Sequence, residues 1–409
     1  MQTLRKLAAA AIATAAALAL AQQAGPYQVV KKSKVGGVGG WDYVYADSDG
    51  RRLYIPRTGE GARVTVYDLD TLEPVGEIAK TNARGVAVDP QSHHGFASSK
   101  PVAMWDTKTL APIKTIDVEG GPDGIMFDPF NERVYVFSHR APNATVVNGK
   151  DGSVVGTIDL GGAPEQAATD GKGHIYVDLE DKDKIAVVDA ATMKVTGNYS
   201  LEGKGKEPAG LAMDVKNRIL FAACHEPQTM VILNADTGKI ITTLPIGRGV
   251  DGAGFNPNTM EAFSSQGDGT LTVVKENSPT SFEVEQTVQT MASARTMTVD
   301  PNTNRILTIG AEFTPPPTPP PAGSRSRGQM VPDSFTILVV GGGNRAGPHV
   351  AVAGHGILPA FFPSARVEGA QVDSAGFLRD GFSARAGEVL HRFGGPGGRH
   401  VGVALLDRG

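Results

Sequence analysis

The stretch GPDGIMFDPFNERVYVF, residues 121–137, decides the fold. It opens on a Gly-Pro-Asp-Gly turn, runs through an apolar phrase ending in Asp128-Pro129, turns over residues 130–132 and resumes as RVYVF. Turn formers bracket two short runs of β-branched and aromatic residues, the pattern of two strands joined tightly. The first phrase recurs as VYAD at Asp47, VAVD at Asp89, IMFD at Asp128, AATD at Asp170, LAMD at Asp214, AGFN at Asn256 and MTVD at Asp300, at intervals of 42, 39, 42, 44, 42 and 44 residues. Seven occurrences at so even a period mark a repeat array.

Each unit continues alike. A second strand follows (RRLYI, ERVYVF, GHIYV, NRILFA, NRILTI), then a third (VTVYD, VAMWD, IAVVD, MVILN), a polar turn such as Asp236-Thr237-Gly238-Lys239, and a fourth strand of the VVGTI or IITTL type. Four short strands in about 40–50 residues make a propeller blade. The fold expected is therefore all-β, a seven-bladed β-propeller over residues 27–340. The last unit lacks a fourth strand, while residues 27–35 (YQVVKKSKV) precede every complete unit. Placing that N-terminal strand as the outer strand of the last blade closes the ring and removes two exposed edges.

The repeat resembles the YVTN-type β-propeller family, the YncE-like exported proteins. The matching pieces are the G-x-P-x-G phrase ending in Asp128-Pro129, the RVYV strand at 133–136, and the VVD…G-x-V strand pair. The likeness spans the whole of 27–340. Trp105-Asp106 has the look of a WD-repeat ending, but the Gly-His that opens such repeats is missing from every unit. The resemblance implies the fold firmly and the activity weakly, since related propellers include lactonases and quinoprotein dehydrogenases.

Outside the repeat, Arg5 and Lys6 precede an Ala/Leu-rich run at 7–20, and Ala19-Leu20-Ala21 forms an A-x-A cleavage site. The run is shorter than the ~20 residues that span a bilayer, so residues 1–21 read as a signal peptide and the product as periplasmic or secreted, with no membrane span after cleavage. Cys224 is the only cysteine, which excludes an internal disulfide and a CxxCH haem site. The formal net charge of -4 gives no strong nucleic-acid signal. After residue 340 the composition breaks: 69 residues hold 16 Gly and 7 Arg but no Lys, Thr or Tyr. Such a tail reads as a disordered extension or as the product of a shifted reading frame. Residues 314–321 (TPPPTPPP) read as an exposed insertion between the second and third strands of the last blade.

Propeller ligands gather where the loops leading into the innermost strands ring the channel. Counting back five residues from each marker gives Asp42, Arg84, Asp123, Glu165, Ala209, Asp251 and Arg295. Six of the seven are charged, and unpaired charge at a crowded axis must pair, stay wet or hold a ligand. The loops between second and third strands add Arg57, Lys100, His139, Arg140, Glu180, Asp181, His225, Glu226 and Glu312 to the same face. The ligand-binding candidates are thus Asp42, Arg84, Asp123, Glu165, Asp251, Arg295, His139 and His225. The alternative is a wet mouth whose ion pairs merely join blades. Two histidines with a carboxylate such as Glu165 are able to bind a divalent metal, but with no close-spaced ligand motif no metal site is assigned, and no cofactor is expected. There is no GxSxG elbow, Walker loop or dinucleotide fingerprint. The expected function is a binding or scaffold propeller, monomeric, with a small molecule or protein at its channel face. A lactonase-like hydrolase using mouth carboxylates is the second reading and a quinoprotein oxidoreductase a remote third.

Overall fold

The structure, a computed structural model, describes residues 25–141, 143–315 and 328–342. The expected signal peptide at 1–21, the expected tail beyond 342 and most of the proline-rich insertion lie outside the described residues. Within them the chain forms seven four-stranded antiparallel sheets. Their innermost strands are Tyr45–Asp47, Val86–Asp89, Pro122–Asp128, Pro164–Thr169, Lys206–Asp214, Val250–Asn256 and Arg295–Asp300. The chain is a seven-bladed β-propeller.

Each blade buries both of its faces, because alternate residues of a strand point to opposite sides. In the second strand of blade four, Ile175, Val177 and Leu179 pack on blade three, while Tyr176 packs on blade five. Seven apolar clusters result, one at each blade interface. This explains why the middle strands read as continuous apolar runs.

The marker Asp has a structural task at the far end of the innermost strand. Its carboxylate accepts backbone N–H groups of the following turn, as Asp170 does from Lys172 at 2.8 Å and His174 at 2.9 Å. It also receives a side chain from a neighbouring blade: Arg218 on Asp170 at 2.8 Å, and Arg51 on Asp300 at 3.0 Å. Asn256 makes the tie in the other direction, donating from Nδ2 to Asn304 Oδ1 of blade seven at 3.0 Å. The marker is thus a turn cap and an inter-blade tie, not part of the mouth.

Closure follows the expected plan. Tyr27–Lys34 is the outer strand of blade seven and pairs antiparallel with Thr336–Gly342, from Lys34 opposite Thr336 to Tyr27 opposite Gly342. The partner strand runs two residues past the expected boundary at 340, because the closing strand is long enough to hold Gly341 and Gly342 in register. Tyr27 reaches onto blade six as well: its N–H donates to Gln286 Oε1 at 2.9 Å, Gln286 Nε2 donates to its carbonyl at 2.8 Å, and its hydroxyl donates to Glu261. Lys31 donates to the Thr71 carbonyl of blade one at 2.6 Å.

The glycines after the closing strand let the chain cross to blade one at close quarters. A side chain on Gly39 would meet the Thr58 carbonyl at 2.4 Å. Arg57 clamps this crossing, donating to the carbonyls of Gly36 and Val38 at 3.3 and 3.0 Å while its guanidinium lies 3.4 Å from the centre of the Phe335 ring. Arg57 is buried, so the expectation that it faces the mouth is corrected: stacking and carbonyl bonding draw it into the seam between blades seven and one.

Candidate functional site

The mouth is shaped by backbone irregularity. In blades three to seven the innermost strand carries a β-bulge at its start, between Pro122 and Ile125, Pro164 and Ala167, Pro208 and Gly210, Val250 and Ala253, and Arg295 and Met297. A bulge breaks the ladder locally and re-aims the residues inside it. Asp123, Glu165 and Asp251 sit in three of these bulges. The next position is glycine in four blades, for a packing reason. A Cβ on Gly124 would meet the Glu165 carbonyl at 2.7 Å, and one on Gly210 the Gly252 carbonyl carbon at 2.8 Å. Neighbouring innermost strands touch backbone to backbone there.

Three blades depart from that glycine: blade seven has Thr296, which is buried, and the other two departures place a side chain in the channel. In blade one the residue is Tyr43, whose hydroxyl donates to Glu165 Oε2 at 2.6 Å. In blade four it is Gln166, which donates to the Ala253 carbonyl at 2.9 Å and accepts from the N–H groups of Ala253 and Leu211 at 2.9 and 3.0 Å. The sequence reading missed both. The signal was available as the two bulky polar residues at a position otherwise occupied by glycine or, in blade seven, by Thr296.

The charged positions join in a chain. Arg84 contacts Asp42 at 2.9 Å and lies 3.8 Å from Asp123. His139 lies 3.7 Å from Asp123 and 3.0 Å from Glu165. Arg295 contacts Asp251 at 2.6 Å and also acts on the charge of Asp42. Contributions thus come from blades six, seven, one, two, three and four. Blade five offers Ala209, which is buried. His225 stands at the end of blade five's second strand, Ile219–Glu226, and is not among the groups whose ligating atoms gather at His139. That place is taken by Glu180, which opens the short 3-10 helix Glu180–Lys182.

Crowding sets the protonation pattern. Burial raises Asp123 to about 6, with repulsion from Asp42 and Glu165 adding to it against the pull of Arg84. Asp42 and Glu180 are raised as well, burial coming first in each. Glu165 goes the other way. Burial opposes its ionisation, but the bonds from His139 and Tyr43 outweigh it and hold the carboxyl below its ordinary range. His139 is lifted to about 9, chiefly by its bond to Glu165, so it is an imidazolium at neutral pH.

Beneath this ring the channel opens into a cavity of about 340 Å³, with Glu165 and Tyr43 at its rim and Met126, Phe127, Phe255 and Met297 among its walls. A second cavity of about 310 Å³ lies beside the mouth, with Trp41, Asp42, Arg84 and Lys100 in its lining. Polar groups converging on a concave space are the usual form of a small-molecule site.

No family model and no curated protein matches this chain. Among solved structures it is similar to a chain of the mitotic checkpoint complex (TM-score 0.62, 10% identity, covering 78% of this chain and 94% of that one). It is likewise similar to U3-55K (0.62, 9%, 78% and 99%) and to the WD40 repeats of RRP9 (0.62, 9%, 78% and 98%). These likenesses agree with the seven-bladed β-propeller described above. At such identities the likeness is one of fold alone.

Proposed function

We propose that this chain is an exported binding propeller of the YVTN, YncE-like kind, which holds a small molecule at the mouth of its channel. One observation carries the reading: side chains from six blades converge as a linked charged rim over a cavity large enough for a small molecule. Ion pairs that only fastened blades together would not need such a chamber beneath them. Export is supported by the basic start, the apolar run and the A-x-A site of residues 1–21. Among the described residues no helix is long and apolar enough to cross a membrane.

The rim also suggests the ligand's charge. Five carboxylates (Asp42, Asp123, Glu165, Glu180, Asp251) face Arg84, Arg295 and the His139 imidazolium. The negative excess favours a ligand with a positive group at the rim. Binding is preferred to catalysis because, among the described residues, the hydroxyl that donates to a rim carboxylate, that of Tyr43, is held well above its ordinary pKa by burial, which disfavours a nucleophilic phenolate.

Native mass spectrometry of the protein recovered from the periplasmic fraction tests the reading. The expected result is a mature chain starting at Gln22 that carries a small molecule, with that molecule absent from Glu165→Ala and Asp123→Ala at nearly unchanged melting temperature. A wild-type chain that carries nothing, or variants that keep the molecule, would overturn the binding assignment. A chain retaining Met1 in the cytosol would overturn export.

A further inference from the structure

Three side chains at the mouth are arranged as ligands of one ion. His139 follows the second strand of blade three, Arg133–Ser138. Glu165 lies in the bulge of blade four's innermost strand, and Glu180 in the link between that blade's second and third strands. One atom from each, the imidazole nitrogen and a carboxylate oxygen from either glutamate, lies within 4.8 Å of the other two. Donors sharing an ion at about 2.0–2.2 Å stand no more than roughly 4.4 Å apart. The observed limit exceeds that span by only a few tenths of an ångström.

We propose that His139, Glu165 and Glu180 bind a divalent first-row transition ion, Mn²⁺ or Zn²⁺, at the rim of the channel cavity. This deepens the reading of the mouth as a binding site and rests on it. One imidazole with two carboxylates suits these ions better than Ca²⁺ or Mg²⁺, which prefer all-oxygen shells. A supporting bond is already in place: Tyr43 donates to Glu165 Oε2, while Oε1 is the oxygen directed at His139. Such outer contacts orient a ligating carboxylate. The side of the trio toward the cavity, which Glu165 lines, leaves the ion an open position for the bound molecule.

Uptake balances in charge and protons. One metal–nitrogen and two metal–oxygen bonds form. The N–H that His139 directs at Glu165 breaks, and its proton passes to solvent as the ion enters.

Isothermal titration of the metal-stripped full chain with MnCl₂ and with ZnCl₂ is the test. One ion per chain is expected, weakened by tenfold or more in His139→Ala and in Glu180→Gln, and by about tenfold in Tyr43→Phe, a change confined to the orienting bond. His93→Ala, which removes an exposed histidine from a turn, should leave uptake unchanged. Melting curves establish that each variant is folded. Absence of saturable uptake, or uptake that survives both ligand variants and falls in His93→Ala, overturns the inference. The two readings fail separately. No ion uptake beside a small molecule lost in Glu165→Ala removes the metal and leaves the binding site, whereas ion uptake with no small molecule does the reverse.

Discussion

Glu276 lies in the third strand of blade six, Thr270–Ser278, only 3% exposed, and accepts a bond from Asn217 of blade five at 2.7 Å. Burial lifts its carboxyl to about 7, with repulsion from Asp214 adding to the rise. The unfolded chain releases this proton near pH 4.3. Between about pH 4.3 and 7 the folded state therefore binds more protons than the unfolded one. Its stability falls as pH rises through that window, and the full benefit is present only below it. The cost above pH 7 is on the order of 3 kcal/mol at most. Glu276→Gln keeps the acceptor for Asn217 and removes the charge. Urea unfolding at pH 5 and pH 8 should show the variant gaining stability at pH 8 and losing most of the wild-type pH dependence. An equal pH dependence in both proteins would disprove it.

The innermost strand with its bulge is the element that makes the mouth. Gly124→Ala would push a methyl group against the Glu165 carbonyl at 2.7 Å. Overpacking of this kind costs about 1–3 kcal/mol. Thermal unfolding should register the loss, and any ligand of Glu165 should bind more weakly. A variant that melts like the wild type would mean that the two strands part freely. Much of this element was legible beforehand. The marker Asp set the register, and counting back five residues found Asp42, Arg84, Asp123, Glu165, Asp251 and Arg295. What escaped was whatever depends on contacts between blades. Tyr43 reaches Glu165 from three blades away, and no local pattern announces that. Glu180 displaced His225 at the histidine because a link within blade four lies nearer to His139 than the matching position in blade five. Arg57 carried a mouth position in the alignment, yet the aromatic face of Phe335 and two carbonyls drew it into the seam.

For the whole molecule, the seam of blade seven is the one place where the ring is held by no covalent link between neighbouring strands. Removing residues 25–34 would leave Thr336–Gly342 as a bare edge and take away the Tyr27 bonds to Gln286 and Glu261. The shortened chain should melt at a distinctly lower temperature. A peptide with the sequence YQVVKKSK, added in trans, should restore part of the loss by pairing at that edge. No drop on deletion would show that closure adds nothing to stability.

That same seam governs when the protein is able to fold. Tyr27 and Gln286, bonded to each other, are separated by 259 positions, and the pairing with Thr336–Gly342 reaches farther still. The strand made first must wait for the strand made last, so every nascent chain is an open arc with two raw edges. Contacts this remote in sequence make folding slow, and a half-built arc is exposed to aggregation. The delay has a consequence for the growing chain: a polypeptide whose ring cannot close until its last strand is made stays open throughout the synthesis of the blades.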